Sequence, residues 1–373
     1  MNIGFEAKRI FENRTGLGNY SRNIINLLDR FYPNNKYKLF APRVTKLYKI
    51  PYSSEVITPK NSFYCYLKSF WRLYKVTKLL NMNAIDIFHG LSHMLPYGIE
   101  KTGIPSVVTI HDLIFLRYPE YYKKMDRHLY HHIYLSSCQR ATRIIAISNQ
   151  TKSDLINYFK IDPKKIAVIY QSCDSRFYNR LSEERKTFIQ LKYKLPQKFI
   201  LCVGTVEQRK NQLALLKAIV MEKLDVTIVI LGKPTEYINI LNQFISESGI
   251  QKQVIFLHNV TTDELQGIYQ MAEVMVYPSI FEGFGLPIIE AQASQCAVIT
   301  SNISSLPEAG GEGALYINPT NISELGKAIH NVLSIPKLKE ELIKKGSSNA
   351  EKFNEKLTAE RLMNLYKDLK RQI

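Results

Sequence analysis

The sequence predicts an α/β protein with two domains, each a doubly wound parallel sheet with helices on both faces. The chain has 373 residues, a length that exceeds one typical hydrophobic core and suits two. Short β-branched segments alternate with longer amphipathic segments, and this order is typical of parallel sheets. The alternation yields about ten strands, which is many for one such sheet and natural for two.

The elements follow one another in the same rhythm through both halves. Strands of the first half are predicted at Met1–Phe5, Tyr37–Phe40, Ile85–Phe88, Ser106–Ile110, Arg143–Ile147 and Lys165–Tyr170, with helices at Gly18–Phe31, Tyr64–Asn81, Met125–Cys138 and Gln150–Phe159. Strands of the second half are predicted at Phe199–Val203, Val226–Leu231, Val254–Leu257, Val274–Tyr277 and Ala297–Thr300, with helices at Asn211–Val220, Glu236–Ser246, Thr262–Met271 and Pro287–Ser294. The charged stretch Ser172–Lys198 is predicted as a linker, which gives domains at 1–175 and 176–355.

The composition indicates a cytoplasmic globular protein. Hydrophobic residues make up 45% and charged residues 22% of the chain, which are ordinary values. The start, MNIGFEAKRI, has no apolar core of a signal peptide, and no apolar run approaches the roughly 20 residues of a membrane-spanning helix. The cysteines are scattered, odd in number and form no CxxC pair, so we expect free thiols: Cys65, Cys138, Cys173, Cys202 and Cys296.

The positive charge is concentrated in the first half of the chain. Of a net charge of +17, +14 falls within residues 1–175. Nucleic acid and anionic lipid are both partners of such a domain. No recognition-helix, zinc-finger or RNP-like motif is present, so we expect an anionic membrane surface and no nucleic acid. The segment Phe63–Leu80 mixes aromatic and basic residues and fits either a membrane interface or a core helix with solvated lysines.

Four loops that follow predicted strands carry the residues suited to chemistry. Ligands of doubly wound sheets bind at the carboxyl ends of the strands. The candidates are Gly16 and Gly18 in NRTGLGNYS, His111 in HDLIFLRYPE, Arg209 and Lys210 in GTVEQRKN, and Glu282 and Glu290 in SIFEGFGLPIIEAQ. Each loop alone has an ordinary structural interpretation, such as a turn or a solvated helix start. Their shared position after strands favours a functional site.

The segment from Ser279 to Asn302 is the most informative of these. Pro287 suits the first turn of a helix, and Gly283 and Gly285 let the backbone approach a ligand. Glu282 and Glu290 flank this turn, and carboxylates accept hydrogen bonds from vicinal diols. Arg209 and Lys210 add the cations that bind a diphosphate. Together these groups predict a nucleotide-sugar site.

SIFEGFGLPIIEAQASQCAVITSN, LCVGTVEQRKN, VVTIHDLIFLRYPEYY and TGLGNYSRNI together resemble the retaining glycosyltransferases of family 4. The resemblance covers nearly the whole chain. It implies the GT-B fold, in which two Rossmann-like domains face each other across a cleft, with the donor against the second domain and the acceptor against the first. It also implies that a C-terminal helix, here Lys356–Arg371 within residues 356–373, packs back on the first domain.

The resemblance also implies residue roles. Glu282 binds hydroxyls of the transferred sugar, Glu290 the ribose diol, Arg209 and Lys210 the diphosphate, and His111 lies by the sugar on the acceptor side. The implied catalytic residues are His111, Glu282, Arg209 and Lys210, and the implied donor-binding residues are Gly16, Gly18, Arg209, Lys210, Glu282, Gly283, Phe284, Gly285, Leu286 and Glu290. Retention is then expected by same-face attack, with neither glutamate as a nucleophile.

No cofactor or metal is expected. The D-x-D element of metal-dependent transferases is absent, and His128, His131 and His132 have helical spacing but no clear acidic fourth ligand. We interpret these three histidines as part of a surface helix.

The branch that HGLSHMLP and HDLIFLRYPE resemble is rich in bacterial mannosyltransferases of O-antigen and related polysaccharides. We therefore expect mannose transfer from GDP-mannose to a lipid-linked or growing saccharide acceptor, by an enzyme that is cytoplasmic or peripheral on the inner membrane. A UDP-sugar-dependent hexosyltransferase, a nucleotide-sugar epimerase and a nucleic-acid-binding protein are the alternatives. A nicotinamide dehydrogenase is disfavoured because Gly16-x-Gly18 lacks a third glycine at the required spacing.

Overall fold

A computed structural model describes residues 1–61 and 63–372, except for the side chains of Phe63 and Cys65. The chain forms two compact units. Unit 1 consists of Met1–Gln171 together with the C-terminal segment that begins at Glu355. Unit 2 is Ser172–Asn354.

Among the described residues, the first segment of unit 1 contains seven strands and eight α-helices. The C-terminal segment adds one more α-helix. The strands are β1 (Asn2–Glu6), β2 (Lys36–Phe40), β3 (Ser54–Ile57), β4 (Ile87–Gly90), β5 (Ser106–Ile110), β6 (Arg143–Ala146) and β7 (Ile166–Val168). The helices are α1 (Lys8–Glu12), α2 (Gly16–Phe31), α3 (Phe63–Tyr66), α4 (Lys68–Phe70), α5 (Val76–Met82), α6 (Ile114–Arg117), α7 (Lys124–Arg140) and α8 (Asn149–Phe159), followed after unit 2 by the C-terminal helix (Glu355–Arg371).

The sheet of unit 1 is parallel throughout, in the order β3-β2-β1-β4-β5-β6-β7. Strand side chains alternate between two apolar layers, since successive residues point to opposite faces. Ile87 and Val107 face the layer that α2 and the C-terminal helix cover, where Tyr366 is fully buried. Phe88 and Val108 face the other layer. The C-terminal helix is therefore part of the core of unit 1.

Unit 2 contains six strands and eight helices among its described residues. The strands are β8 (Phe199–Val203), β9 (Thr227–Leu231), β10 (Val254–Leu257), β11 (Val274–Tyr277), β12 (Val298–Ser301) and β13 (Ala314–Ile317). The helices are α9 (Glu183–Tyr193), α10 (Gln212–Met221), α11 (Ile238–Glu247), α12 (Thr262–Met271), α13 (Leu286–Ala293), α14 (Leu306–Gly310), α15 (Ile322–Ser334) and α16 (Pro336–Ala350). The C-terminal helix of unit 1 follows them and is labelled α17.

The sheet of unit 2 is also parallel, in the order β10-β9-β8-β11-β12-β13. Both sheets contain the Rossmann strand order, which runs outward from the first strand in both directions and leaves a crevice where the order reverses. That switch point lies between β1 and β4 in unit 1 and between β8 and β11 in unit 2. The prediction of two Rossmann-like doubly wound domains is confirmed.

Several details of the element predictions differ from the structure. The helix predicted without interruption over Tyr64–Asn81 is divided into α3, α4 and α5, with a π-helical turn at Trp71–Lys75. The predicted linker Ser172–Lys198 contains α9, which packs within unit 2 through the buried Ile189. Strands β3 and β13 were not predicted.

The segment Phe63–Leu80 has both an inner and an outer side. Trp71 and Leu80 are buried in the core, whereas Phe70 and Tyr74 are exposed; Phe63 and Cys65 carry side chains that lie outside the described part. Neither the interpretation as a membrane interface nor the interpretation as a core helix therefore holds along the whole length of this segment. Among the described residues, no helix combines the length and the apolar character needed to cross a bilayer.

The cysteine prediction is confirmed where it can be examined. The cysteines with described side chains are buried thiols that form no disulfide: Cys138, Cys173, Cys202 and Cys296. Burial raises the pKa of the Cys202 thiol to about 12, so this thiol is inert as a nucleophile at neutral pH.

Candidate active site

The switch point of unit 2 brings two predicted loops together. Residues 204–211 follow β8, residues 278–285 follow β11, and the two strands are hydrogen-bonded neighbours. The backbone N–H of Ile280 donates to the carbonyl of Arg209 over 2.9 Å, so the loops are also directly joined. This is the position at which doubly wound sheets bind their ligands.

A buried ionic cluster occupies this position. One carboxylate oxygen of Glu282, Oε1, lies 2.6 Å from Lys210 Nζ, and the other, Oε2, lies 2.9 Å from Arg209 Nη1. Glu207 also pairs with Arg209. Glu282 is only 8% exposed. Residues 72 or more positions apart in the chain thus form one compact charged group.

The electrostatics of the cluster are set by mutual neutralisation. Burial alone would raise the pKa of Glu282, but the charges of Lys210 and Arg209 outweigh burial and lower it to about 2. Burial opposes the charge of Arg209 in the same way, and the pKa of Arg209 is nevertheless raised by Glu282 and Glu207. Glu282 and Arg209 therefore both remain charged at neutral pH.

Neighbouring groups hold the Lys210 ammonium in place. Its Nζ donates to the Tyr277 hydroxyl over 2.6 Å and lies 4.9 Å from the centre of that ring. Gly204 lies beneath the side chain with φ of +136°, where a Cβ would come within 3.3 Å of Lys210 Cε. Glycine is required here, because another residue would be strained and would crowd the lysine.

Two serines that the sequence reasoning missed anchor Glu282 from the loop after β12. Ser304 Oγ donates to the Glu282 carbonyl over 2.8 Å and accepts from its N–H over 3.2 Å. Ser305 Oγ contacts the carbonyls of Glu282, at 2.9 Å, and Phe284, at 2.8 Å. The signal for both serines was their position after the strand that follows β11, at the same sheet edge.

The glycine loop leads directly into a helix. Gly285 has φ of +118° and precedes α13, and Pro287 lies in the first turn, as the sequence predicted. Leu286 is the first helical residue. Phe284 is buried against Phe353, with ring centres 5.6 Å apart. Gly283 connects Glu282 to this turn, so the first amides of α13 lie immediately after the ionic cluster.

Glu290 lies one turn into α13 and outside the ionic cluster. Its Oε2 accepts a hydrogen bond of 3.2 Å from the Tyr269 hydroxyl. The side chain is half-buried. Burial raises the pKa of Glu290 to about 7 and outweighs the hydrogen bond from Tyr269, which lowers the pKa. The charge of Asp174 adds a smaller upward contribution. The two glutamates of the predicted motif therefore have opposite protonation behaviour.

His111 follows β5 in unit 1 and is a buried, neutral imidazole. Its Nε2 lies 3.0 Å from the Leu91 carbonyl, so this nitrogen carries the proton. Nδ1 then accepts, and the Gln171 amide is 3.5 Å away. Burial lowers the pKa of His111 to about 4. Tyr20 packs edge-on against the ring, with centres 4.6 Å apart.

The two predicted glycines of unit 1 have different environments at the start of α2. Gly16 is exposed and a Cβ there would meet nothing within 4 Å. Gly18 is buried, and a Cβ there would lie 2.0 Å from the Asn13 carbonyl oxygen. Asn13 also bonds the Gly18 N–H and Thr15 through its side chain. Gly18 is thus needed for the fold of the loop, whereas Gly16 leaves its backbone open.

The histidines of α7 are exposed, as expected of a surface helix: His128, His131 and His132. Among residues 1–61 and 63–372, no group of three or more His, Cys, Asp or Glu side chains has the arrangement of a metal site.

Comparison with known proteins identifies the class that this architecture represents. Residues 183–349 match the family described as glycosyl transferases group 1, and residues 15–177 match glycosyltransferase family 4. Two Rossmann-like domains with a Glu-x7-Glu segment at the second switch point are those of a GT-B glycosyltransferase. The chain belongs to glycosyltransferase family 4 and resembles its bacterial mannosyltransferases.

Curated relatives support this family, and a solved structure has the same fold. The chain is 28% identical to O-antigen chain mannosyltransferase B of Escherichia coli, over 98% of this chain and 100% of the relative. It is 30% identical to O-antigen chain mannosyltransferase RfbU of Salmonella typhimurium, over 73% and 71% of the two chains. The fold matches that of HepE from Anabaena, solved in complex with UDP and glucose, with a TM-score of 0.77, 16% identity, and 99% and 100% coverage.

Proposed function

We propose that this enzyme transfers mannose from GDP-mannose, with retention of anomeric configuration, to a lipid-linked or growing saccharide in cell-surface polysaccharide synthesis. The observation that carries this proposal is the buried cluster of Glu282, Arg209 and Lys210 at the switch point of unit 2. The names of the O-antigen mannosyltransferase relatives support the sugar and the pathway.

The cluster suits binding of a diphosphate. Arg209 and Lys210 together carry two positive charges against the one negative charge of Glu282, and Glu207 balances Arg209 from its partly exposed side. A diphosphate adds negative charge that grows on the leaving group as the glycosidic bond breaks. Preformed buried cations stabilise such charge without reorganisation. We propose that they act without a divalent metal, as the missing D-x-D element predicts.

The state of Glu282 argues against a covalent intermediate on this residue. Its carboxylate has a pKa of about 2 and is bonded to two cations, which weakens it as a nucleophile. We propose instead that the acceptor hydroxyl attacks the anomeric carbon on the face from which the phosphate leaves. The carbon–phosphate oxygen bond breaks, the new carbon–oxygen bond forms, and the departing phosphate takes the hydroxyl proton.

The identity of the donor base has a second candidate. The structural neighbour from Anabaena was solved with UDP and glucose, which favours a UDP-hexose as the alternative to GDP-mannose. A thermal-shift panel of GDP, UDP, ADP and TDP separates the two. At 100 times its Kd the true nucleotide adds about 2.7 kcal/mol of stability. Stabilisation by UDP alone would replace GDP-mannose in the proposal.

Turnover assays then test the reaction. The assay uses mannose linked to the nucleotide that stabilises the protein, together with a saccharide acceptor from the organism that makes this enzyme. NMR of the product should show the same anomeric configuration as the donor. Activity should persist in EDTA. An inverted product would overturn retention, loss of activity in EDTA that Mn²⁺ or Mg²⁺ restores would overturn metal independence, and donor isomerisation without acceptor would favour an epimerase.

We also propose that unit 1 contacts the anionic membrane surface that carries a lipid-linked acceptor. Tyr66, Phe70 and Tyr74 recur at helical spacing and are 87%, 42% and 51% exposed. Lys75 lies over the Phe70 ring at 5.5 Å, and the domain carries most of the net charge. Exposed aromatic rings beside lysines are the composition of an interfacial helix.

Vesicle co-sedimentation tests this surface. The variant Phe70→Ser/Tyr74→Ser should bind vesicles of anionic phosphatidylglycerol several-fold more weakly than the native enzyme. Phe188→Ser is the matched control, because Phe188 is 51% exposed on α9 of unit 2. Equal binding of all three proteins would refute membrane contact through this segment. Equal binding of the native enzyme to neutral and anionic vesicles would refute the preference for an anionic surface.

A further inference from the structure

A continuous chain of buried polar side chains runs through the core of unit 1 from α17 to His111. Tyr366 Oη lies 2.6 Å from His89 Nδ1, and His89 Nε2 lies 2.8 Å from Thr109 Oγ1. Thr109 Oγ1 is 3.3 Å from Tyr20 Oη. Tyr20 in turn packs against the His111 ring. The chain therefore links a helix, two strands and a second helix to one candidate site residue.

The setting of this chain is otherwise apolar. Tyr20 and Tyr366 belong to the layer of Ile24, Leu28 and Met363, between the sheet and the helices α2 and α17. A buried polar group costs free energy unless it is hydrogen-bonded, and a fully connected network fixes one arrangement of its members. An apolar side chain at each position would satisfy the layer, so stability alone does not account for four polar ones.

The protonation of His89 makes the chain directional. Burial lowers the pKa of His89 to about 3, so the ring is neutral and has one donor and one acceptor nitrogen. Whether Nδ1 donates to Tyr366 or accepts from it, Nε2 must play the opposite role toward Thr109. Loss of the Tyr366 hydroxyl would leave Nδ1 unpaired and free the tautomer. The hydroxyls of Thr109 and Tyr20 would then lose their fixed orientation.

We propose that Tyr366 is a positioning residue that fixes the orientation of His111 through His89, Thr109 and Tyr20. The inference rests on the proposed function and on the role that the family resemblance implies for His111, beside the transferred sugar. The His111 ring is held by the Leu91 carbonyl, by Tyr20 and by His93, whose ring centre is 5.0 Å away. Tyr20 is the contact that the chain controls. A residue of α17 thereby sets the geometry of a site residue that directly follows β5.

Conservative tyrosine variants test the proposal kinetically. Tyr366→Phe and Tyr20→Phe each remove one hydroxyl and keep the ring. We expect each to lower kcat about five- to tenfold with the donor KM unchanged, because the diphosphate contacts of unit 2 are intact. The double variant should be no slower than the slower single variant, since both interrupt the same chain.

Tyr37→Phe is the matched control. Tyr37 is a fully buried tyrosine of the same layer, and its hydroxyl bonds to the backbone carbonyls of Leu28, at 2.9 Å, and Tyr32, at 2.7 Å. This variant loses comparable hydrogen bonds away from the chain, so its kcat should stay within twofold of the native value. A fall in kcat of Tyr37→Phe equal to that of Tyr366→Phe would show a general stability effect and overturn the proposal.

A measurement without turnover separates this inference from the proposed function. Long-range ¹H–¹⁵N spectra report the tautomer of each imidazole, with His111 assigned from His111→Gln. Tyr366→Phe should shift the signals of both His89 and His111, whereas Tyr37→Phe should leave both in place. Unchanged His111 signals in Tyr366→Phe would overturn the positioning role. If the His111 signals shift in Tyr366→Phe but the native protein transfers no sugar, the coupling between Tyr366 and His111 is supported and only the proposed reaction is refuted.

Discussion

The switch points of the two units differ in a way that the overall charge would not suggest. Residues 1–175 carry +14 of the net charge, yet the predicted site residues of unit 1 are uncharged: the buried His111 imidazole and the glycines Gly16 and Gly18. At the end of β1, the buried pair Arg72–Glu6 holds one charge of each sign. Unit 2 is nearly neutral overall and holds a buried cluster of Arg209, Lys210 and Glu282. Net charge indicates which partners a protein surface attracts. Buried charged groups indicate where a protein can act on the bonds of a ligand.

Energetics explain why the second pattern is informative. Removing ions from water costs several kcal/mol each, and pairing repays this only with good geometry. Natural cores rarely contain such groups without a use. The Glu282 cluster is therefore better evidence for function than the larger number of exposed lysines in unit 1.

The largest expected effect comes from the cations of unit 2. Arg209→Ala or Lys210→Ala should lower kcat/KM about 10- to 150-fold and weaken nucleoside diphosphate binding at least tenfold, since charged hydrogen bonds of roughly 1.5–3 kcal/mol are lost. Calorimetry with GDP and UDP and steady-state kinetics measure both effects. Lys217→Ala, at an exposed lysine of α10, is the control. Unchanged nucleotide affinity in both cation variants would remove the diphosphate site from unit 2.

The two glutamates should separate next. If Glu282 binds the transferred sugar as the family resemblance implies, Glu282→Gln should lower kcat about ten- to hundredfold, because that contact would strengthen as positive charge grows on the ring. Glu290→Gln should mainly raise the donor KM, because the ribose does not change charge. Steady-state kinetics with the true donor compare the two. Equal loss of kcat in both variants, with an unchanged donor KM, would contradict the assignment of Glu282 to the sugar and Glu290 to the ribose.

The two glycines at the start of α2 allow an effect on stability to be distinguished from an effect on donor binding. Gly16→Ala should leave the melting temperature unchanged, because a Cβ there has open space, and should raise the donor KM about tenfold. Gly18→Ala forces a Cβ against the Asn13 carbonyl and should cost about 1–3 kcal/mol of stability. Thermal melts and donor kinetics of both variants give the answer. An unchanged donor KM in Gly16→Ala would mean that this loop does not approach the donor.

The smallest effect is a pH dependence of a few-fold that originates at Glu290. Its pKa of about 7 means that the carboxyl is partly protonated at neutral pH. Ribose hydroxyls donate to the ionised form, so nucleotide affinity should rise between pH 6 and pH 8. Glu290→Gln should remove this rise, and a 2′-deoxynucleotide should show less of it. A rise of the same size in Glu290→Gln would assign it to the phosphates of the nucleotide.

The same shifts have opposite consequences for stability. The folded pKa of Glu290 lies above its ordinary 4.5, so its contribution is full below about pH 4.5 and lost as pH rises through 7. The folded pKa of Glu282 lies below 4.5, so its contribution is present above that value and lost as pH falls toward 2. In chemical denaturation, each Gln variant should flatten the pH profile of stability in its own window.

Most strands could be predicted from the sequence, including the edge strands β7 and β10, whereas the edge strands β3 and β13 could not. The predicted strands Phe199–Val203 and Val274–Tyr277 coincide with β8 and β11, because buried parallel strands are continuous apolar runs. Strands β3 and β13 lie at the ends of the sheets. They are short and half-buried, so their sequences lack that signal. Helix α9 was missed because its charges resembled a linker, although Ser182 caps it.

The site could be predicted only as a set of loops. Strand ends identified the segments around Arg209 and Glu282, because the carboxyl ends of parallel strands share one edge. The pairing of Glu282 with Lys210 and the support from Ser304 and Ser305 depend on contacts between distant residues. The raised pKa of Glu290 depends on burial, which a single sequence does not show.

The composition of unit 1 from two chain segments has a consequence for biosynthesis. Leu362, Met363 and Tyr366 of α17 belong to the core of unit 1, yet the ribosome must first make all of unit 2, about 180 residues. At typical elongation rates this takes about 10 to 40 s. During that time the nascent first domain exposes the groove that α17 will fill, so chaperone demand and sensitivity to premature termination should be greatest for the half of the protein that is translated first.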